Sequence, residues 1–197
     1  MMIALSKKLR KLTLVFAAAA ALTGCQQRNQ IEEAPGEECV QTSDTAQFQQ
    51  KFPDLYRSFR AMESLPYSGR AVTANLKDPV NGIPTCVATD VYGSATGEFI
   101  PELARLRMRR GEVDARAYTH EMFHANQHIN GALRLLGSSN LAIEDNMAGN
   151  MLVEASAVGY SFIVYKEMDK TQTGAYADFA STWYSFGMRA HFDAAYA

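Results

Sequence analysis

Two histidines and a glutamate close together in the chain suggest metal chemistry. They form the pattern His-Glu-x-x-His at His120, Glu121 and His124. On an α-helix, residues four apart lie ~6 Å apart along the axis and only ~40° apart around it, so both imidazoles would face one point. Imidazole nitrogen is a zinc ligand, and a catalytic zinc site uses three protein ligands and leaves a fourth position to water. Bound zinc lowers the pKa of that water towards ~7, and Glu121 is placed to take its proton as a general base.

The sequence around this pattern predicts the helix that it needs. Asp114 is a predicted N-cap, residues 115–130 contain no Gly or Pro, and Gly131 is a predicted C′ residue. The alternative is a helix whose histidines are only solvated or hydrogen-bonded. Three of the four histidines of the chain fall within nine residues, and we therefore favour the metal site.

Glu154 is the predicted third ligand. It is the only charged residue in the apolar segment 150–165, which we interpret as a second helix. An ionised carboxylate in such a helix is costly unless it is paired or bound to a metal. The alternative to a metal is that a nearby arginine pairs with the Glu154 carboxylate. Glu144 and Asp145 are reserve ligands, or partners for the second ring nitrogens of the histidines.

His128 continues the four-residue spacing but is not expected to be a ligand. About 12 Å of helix separates it from His120, so one ion could reach both only if the helix bent. We expect Gln127, His128 and Tyr160 to act from outside the ligand set or on the substrate side. Tyr118, Tyr160 and His128 remain alternatives for the group that would stabilise an oxyanion.

These residues carry a resemblance to a known class of enzymes. His-Glu-x-x-His with a downstream Glu on a second helix resembles the gluzincin arrangement of zinc metallopeptidases. More closely, the segments His124-Ala125-Asn126-Gln127 and Glu154-Ala155-Ser156-Ala157 are similar to a group of bacterial metallopeptidases marked by His-Glu-x-x-His-Ala-x-Gln and a later Glu-Ala-x-Ala. The resemblance covers roughly residues 85–165.

The resemblance implies one Zn²⁺ held by His120, His124 and Glu154, with Glu121 as general base. The chain departs from it at one position. The thermolysin-type second motif has an Asp four residues after the ligand Glu, where this chain has Val158. The group that orients the histidines must therefore come from elsewhere.

The first 24 residues read as a bacterial lipoprotein signal peptide. Four basic residues precede an apolar run from Leu12 to Leu22, which is too short to span a membrane. The residues Leu22-Thr23-Gly24-Cys25 resemble a lipobox, which implies lipidation of Cys25 and attachment to a membrane of the cell envelope. Gln26 and Gln27 lack the Asp that signals inner-membrane retention, so the outer membrane, with the protein facing the periplasm, is favoured. The alternative is an ordinary cleavage site with Cys25 incidental.

Charge and composition limit the partners and the compartment. Without residues 1–24 the chain has fifteen basic and twenty-one acidic side chains, a formal net charge of −6. Nucleic acid is therefore an unfavourable partner. Residues 25–43 are predicted to be the lipidated Cys and a flexible tether, and residues 44–197 a single domain. Cys39 and Cys86 are a candidate disulfide in an oxidising compartment, and metal ligation by this pair is the weaker alternative.

The periodicity predicts a mostly helical α+β fold with a small β-hairpin. From Asp44 the apolar residues recur at spacings of three and four, and Pro53 opens a second helix. Residues 66–85 are predicted to be loops with a short strand at 70–74. Residues 85–92 and 97–100 are predicted to pair as a hairpin, whose edge would align a substrate backbone or serve only the fold.

The remaining segments are assigned more coarsely. Residues 101–110 are predicted to be a short basic helix or a loop with a solvated charged face. Residues 132–136 are expected to form a short helix, 137–140 a turn, and 141–150 an irregular or helical connection. Residues 171–197 are predicted to form a last amphipathic helix that packs Tyr176, Phe179, Trp183, Phe186 and Met188 in the core, with His191 on the surface.

Together these observations predict a lipid-anchored zinc-dependent peptidase that acts on a peptide or protein. The alternative from a different class is a non-catalytic envelope lipoprotein, with a structural metal site or a partner-binding surface. A structural site would be closed by a fourth protein ligand. A third alternative is hydrolysis of another amide, such as a cell-wall peptide, at the same site.

Overall fold

Five α-helices and a four-stranded sheet build the part of the chain that the structure describes. The computed structural model describes residues 31, 33–112, 114–135, 143–172, 175, 179 and 194. In chain order the elements are β1 (Glu37–Gln41), α1 (Thr45–Lys51), α2 (Pro53–Glu63), α3 (Gly69–Leu76), β2 (Pro84–Ala88), β3 (Gly97–Ile100), β4 (Arg105–Arg109), α4 (Ala115–Ile129), a 3₁₀ turn (Ala132–Leu135) and α5 (Ile143–Met168). The predicted class, mostly helical α+β, is confirmed.

The first two helices form as their sequence predicts. The Asp44 carboxylate accepts the N–H of Gln47 at 3.0 Å and caps α1, and Pro53 occupies the first turn of α2. The predicted apolar stripe is buried at Phe48, Phe52, Leu55, Phe59 and Met62. Its aromatic rings meet edge to face around Phe48. This stripe is the part of the core on which α3 and α4 pack.

The strand predicted at residues 70–74 is wrong, because these residues belong to helix α3. Val72 and Thr73 are β-branched and favour a strand locally. However, the buried positions of the segment are 69, 72, 73 and 76, which is a helical stripe. Gly69 also approaches α2 closely, since an added Cβ would lie 1.8 Å from the Met62 carbonyl oxygen. Packing on the neighbouring helix therefore overrides the local preference.

The strands form one mixed sheet in the order β1-β2-β4-β3. β1 and β2 are antiparallel, β2 and β4 are parallel, and β3 and β4 form an antiparallel hairpin. The predicted strand pairing was therefore wrong: residues 97–100 pair with β4 and not with the strand at 84–88. Local sequence could not predict this pairing, because β4 pairs with β2 through a crossover connection that contains β3. β3 is left as an edge strand.

The predicted solvated basic segment at 101–110 was also wrong. Residues 105–109 are strand β4, which buries Leu106 and Met108 on one face and Arg105 and Arg107 on the other. Both arginines pair with the buried carboxylate of Glu37. Arg107 also binds the carboxylates of Asp90 and Glu98 at 2.6 and 2.7 Å. Buried arginines are tolerated where such partners compensate their charge.

The predicted tether is too long, because β1 begins at Glu37. β1 places Cys39 opposite Cys86 in the register, and the two sulfurs form a disulfide. Metal ligation by this pair would require the bond to be reduced. The bond closes a loop of 47 residues, which corresponds to a stabilisation of ~4 kcal/mol in the chain-entropy account.

Helix α5 has two different halves. Its C-terminal half packs Phe162 and Tyr165 against Phe179 in the core, and the Glu167 carboxylate accepts the N–H groups of Tyr67 and Ser68 before α3. Its N-terminal half borders the site described below. By length and composition alone, residues 147–168 would also suit a membrane span. The predicted connection at 141–150 is helical from Ile143 onward.

Several predicted features lie outside the described residues. These are the signal peptide at 1–24, the lipidation site Cys25, the turn at 137–140, and, of the last predicted helix, Tyr176, Trp183, Phe186, Met188 and His191. They remain predictions.

Candidate metal centre

Helix α4 carries the first two candidate ligands, and its ends are fixed as predicted. The Asp114 carboxylate accepts the N–H of Arg116 at 2.8 Å, and Gly131 adopts a φ of +78° after the last turn. Tyr118, Met122 and Ala125 bury one face of the helix completely in the core. The rotation of α4 is thereby set, and His120 and His124 face a cleft of about 510 Å³.

Ligand atoms of three residues converge in this cleft. The Nε2 atoms of His120 and His124 lie 3.0 Å apart. Oε2 of Glu154 lies 3.3 Å from Nε2 of His120, and its Oε1 lies 3.4 Å from Nε2 of His124. Two ligands of a tetrahedral zinc at ~2.0 to 2.1 Å are ~3.3 Å apart. The spacing of these side chains therefore fits one zinc ion, with Glu154 contributed by helix α5.

Glu154 lies beside His120 and His124, as predicted. The prediction assumed that its side chain is buried, and that assumption was wrong. Its side chain is 60% exposed, whereas those of His120 and His124 are 13% and 9% exposed. The N-terminal half of α5 leaves Met151 and Leu152 in solvent as well, so the carboxylate does not need a partner to offset burial. Among the described residues it pairs with the two histidines and not with an arginine.

The two histidines and the two carboxylates at this point shift one another's pKa values. Hydrogen bonds from His120 and His124 hold the pKa of Glu154 well below its usual range. Burial opposes protonation of His124, yet the contacts with Glu154 and Glu121 raise its pKa overall. Both pKa shifts have one cause, which is the attraction of Glu154 and Glu121 for positive charge on the imidazoles. A divalent cation would supply that charge without protonating the histidines.

Glu121 lines the same cleft beside the three ligand atoms. Burial raises the pKa of its carboxyl group, while the charges of His120 and His124 and a backbone hydrogen bond from Phe99 in β3 lower it. The carboxylate therefore lies close to β3 as well as to the two histidines. Its position suits proton transfer to and from a water in the cleft.

The edge strand approaches Glu121 closely because residue 97 is a glycine. A Cβ at this position would lie 2.8 Å from the Met108 sulfur and 3.3 Å from Cγ of Glu121. We expect Gly97→Ala to lower the free energy of unfolding by ~1 to 3 kcal/mol, since Met108 is fully buried and must move. Chemical denaturation measures this. In a Met108→Ala background the same change should cost clearly less, and an equal cost in both backgrounds would contradict the proposed crowding.

Gln127 is the partner that orients His124. Its side-chain oxygen lies 2.8 Å from Nδ1 of His124, and its side-chain nitrogen donates to the Ser156 hydroxyl at 2.7 Å. Gln127 thus accepts the Nδ1 proton, which leaves Nε2 of His124 free to bind a metal. It also links α4 to α5 within one turn of Glu154. Val158, in the position of the missing Asp, is buried in the core.

We expect Gln127→Leu to weaken zinc binding by ~10- to 100-fold, because His124 loses the acceptor that fixes its tautomer. Competition with a chelating dye measures the affinity. Gln127→Glu keeps an acceptor at this position and should recover most of the loss. Unchanged zinc affinity in Gln127→Leu would show that the contact has no role in ligand orientation.

The other predicted residues lie away from the ligand atoms. The hydroxyl of Tyr160 donates to the Ser68 carbonyl at 2.7 Å, and that of Tyr118 lies 3.0 Å from the Thr85 hydroxyl, so both are held in the core. The ring of His128 packs on Phe99 at 5.3 Å. Asp145 is exposed and outside the ligand group, and the side chain of Glu144 lies outside the described part.

Sequence reasoning missed the rest of the cleft wall. The β3–β4 hairpin contributes Gly97, Glu98, Phe99, Pro101 and Glu102, the 3₁₀ turn contributes Leu133, and α5 contributes Asn150 and Val153. Ser156 belongs to the Glu-Ala-x-Ala segment, which was its only signal in the sequence. The chain matches no protein-family model, no curated protein and no solved structure, so the interpretation of the site depends on its own geometry.

Proposed function

We propose that the protein is a zinc-dependent peptidase that hydrolyses an amide bond in this cleft. The convergence of one oxygen and two nitrogen ligands beside a further carboxylate supports the proposal most directly. His120, His124 and Glu154 would hold the ion. Their group has three members among the described residues, and it faces an open cleft. Three protein ligands with an accessible position are typical of a catalytic site, whereas a structural site has four.

The protein residues and the ion would divide the reaction between them. When bound, zinc supplies Lewis-acid chemistry, which acidifies water and polarises a carbonyl group. Glu121 would take the proton of the attacking water and later give it to the leaving amine. The N–H of Phe99 holds the Glu121 carboxylate in place for both transfers. Gln127 keeps the ring of His124 in the tautomer that binds the metal.

The edge of β3 that does not pair with β4 would position the substrate through the backbone groups that Glu121 leaves available. β3 pairs with β4 on one side, and its residues Gly97 and Phe99 line the cleft. An extended polypeptide can add to such an edge through backbone hydrogen bonds. The scissile bond would then lie beside Glu121, which β3 already contacts. This favours a peptide or an unfolded protein segment as substrate.

Attachment to the outer membrane through lipidated Cys25 is part of the proposal, and the sequence of residues 1–25 supports it. Eleven residues separate Cys25 from β1. Fully extended they reach at most ~40 Å. The domain would therefore act close to the membrane surface, on substrates in the periplasm.

A cleavage assay tests the proposed activity. The full chain, purified in detergent and loaded with zinc, is expected to cleave reduced, carboxymethylated serum albumin. The activity should disappear with a chelator and return with one equivalent of zinc. If a protein that holds one zinc cleaves neither this polypeptide nor a cell-wall peptide, the proposal fails and a non-catalytic envelope lipoprotein becomes the better account.

A further inference from the structure

The carboxylates that line the cleft differ in their partners. Glu98 pairs with Arg107 at 2.7 Å, and Arg107 also pairs with Glu37 and Asp90. Glu154 pairs with His120 and His124. Glu102 is exposed in the turn after β3 and makes no salt bridge within the described part of the chain. The described wall of the cleft therefore presents an exposed carboxylate without an ion-pair partner, Glu102, and no lysine or arginine side chain.

The cleft that Glu102 lines fits a long cationic side chain. Phe99, Pro101, Leu133 and Val153 line the cleft with apolar surface, and Asn150 is its neutral polar member. Lysine and arginine lay their aliphatic stems on apolar surface and keep the charged end near a polar group. A carboxylate at the rim next to apolar walls offers both kinds of contact.

The position of Glu102 along the cleft defines which substrate residue would meet it. β3 runs from Gly97, beside Glu121, to Phe99, whose ring packs on His128. Glu102 follows in the turn, three residues beyond Phe99. A substrate strand on the edge of β3 would therefore bring a residue about two to three positions from the scissile bond near Glu102.

We propose that Glu102 is a specificity-determining residue and that the substrates are polypeptides with lysine or arginine within about three residues of the scissile bond. The inference rests on the proposed peptidase function and names its substrate class. The interaction is exposed, so its size is modest and falls with salt. The formal charge of −6 on the chain after residue 24 acts in the same direction at long range.

A charge-reversal experiment tests this inference. Internally quenched peptides share one neutral, unstructured sequence, with Lys, Gln or Glu placed in turn at each position, and the cleaved bond is mapped by mass spectrometry. For the zinc-loaded full chain, kcat/KM should favour Lys over Glu by about fivefold at one position within three of the bond. Glu102→Gln should reduce this ratio to about twofold or less, and Glu102→Lys should invert it.

A matched variant separates the local charge from the overall charge. Glu112→Lys makes the same change at an exposed position outside the cleft wall and should keep the preference for Lys. Retention of that preference by Glu102→Lys, or its loss in Glu112→Lys, would overturn the inference. The same would follow if no position distinguished Lys from Glu.

A binding measurement distinguishes failure of this inference from failure of the proposed function. Fluorescence anisotropy of the same labelled peptides with zinc-loaded Glu121→Gln protein needs no hydrolysis. If no peptide is cleaved but the Kd values favour Lys and Glu102→Lys inverts them, the peptidase proposal fails and the charge selectivity stands. If cleavage occurs while both readouts ignore Glu102, the selectivity fails and the peptidase proposal stands.

Discussion

Glu121→Gln is expected to lower kcat by ~10³-fold or more while the protein keeps one zinc ion per chain. The amide keeps the size of the side chain but cannot take a proton from water, and loss of general-base catalysis costs ~10²- to 10⁴-fold in rate. Glu121 is beside the ligand atoms without belonging to their group, so zinc binding should survive. Steady-state hydrolysis of the mapped peptide, with zinc measured on the same sample, checks both parts.

The control for Glu121→Gln is Glu112→Gln, an exposed carboxylate outside the cleft wall. Its kcat should equal that of the parent. Activity of Glu121→Gln within tenfold of the parent would remove Glu121 from its role as base. Loss of zinc from this variant would instead assign the carboxylate to the ligand set.

His120→Ala and Glu154→Ala are each expected to weaken zinc binding by more than ~100-fold. That exceeds the effect expected from the loss of a partner outside the ligand set, as in Gln127→Leu. Both substitutions remove an atom that lies within 3.4 Å of another ligand atom. Glu154 is mostly exposed, so loss of its contacts with the two histidines should lower the free energy of unfolding of the metal-free protein only modestly. Competitive zinc titration and chemical denaturation measure the two quantities.

His128→Ala is the matched control for these ligand variants, because it removes an imidazole from the same helix outside the three-residue group. Its zinc affinity should stay within about threefold of the parent. Equal losses in His128→Ala and His120→Ala would mean that the ion is held differently, with His128 as a ligand.

Local sequence was sufficient for the parts of the site that one helix determines. The four-residue spacing of His120 and His124, the cap at Asp114 and the glycine at position 131 all depend on neighbours in the chain, and the structure has each of them. The disulfide was also within reach, since only Cys39 and Cys86 remain after the signal peptide. Their burial in paired strands could not be read from the spacing alone.

Long-range contacts were harder to predict. The basic pattern of residues 105–109 indicated a solvated surface, because nothing in the sequence shows that Glu37, 68 residues away from Arg105, is its buried partner. The edge position of β3 depends in turn on the insertion of β4 between β2 and β3. Glu154 lies beside both histidines, although the argument from burial that singled it out was mistaken. Its contact with the histidines depends on how α4 and α5 pack, which the helical pattern of either segment does not contain.

X-ray absorption at the zinc edge tests the central claim most directly. For the zinc-loaded full chain we expect one zinc with two imidazole nitrogens at ~2.0 to 2.1 Å, carboxylate oxygen at ~2.0 to 2.2 Å and no sulfur, since the cysteines of the fold form a disulfide. His120→Ala should remove this spectrum. A chain that retains no zinc after loading, or a spectrum with sulfur neighbours or a third imidazole, would contradict a site built from His120, His124 and Glu154.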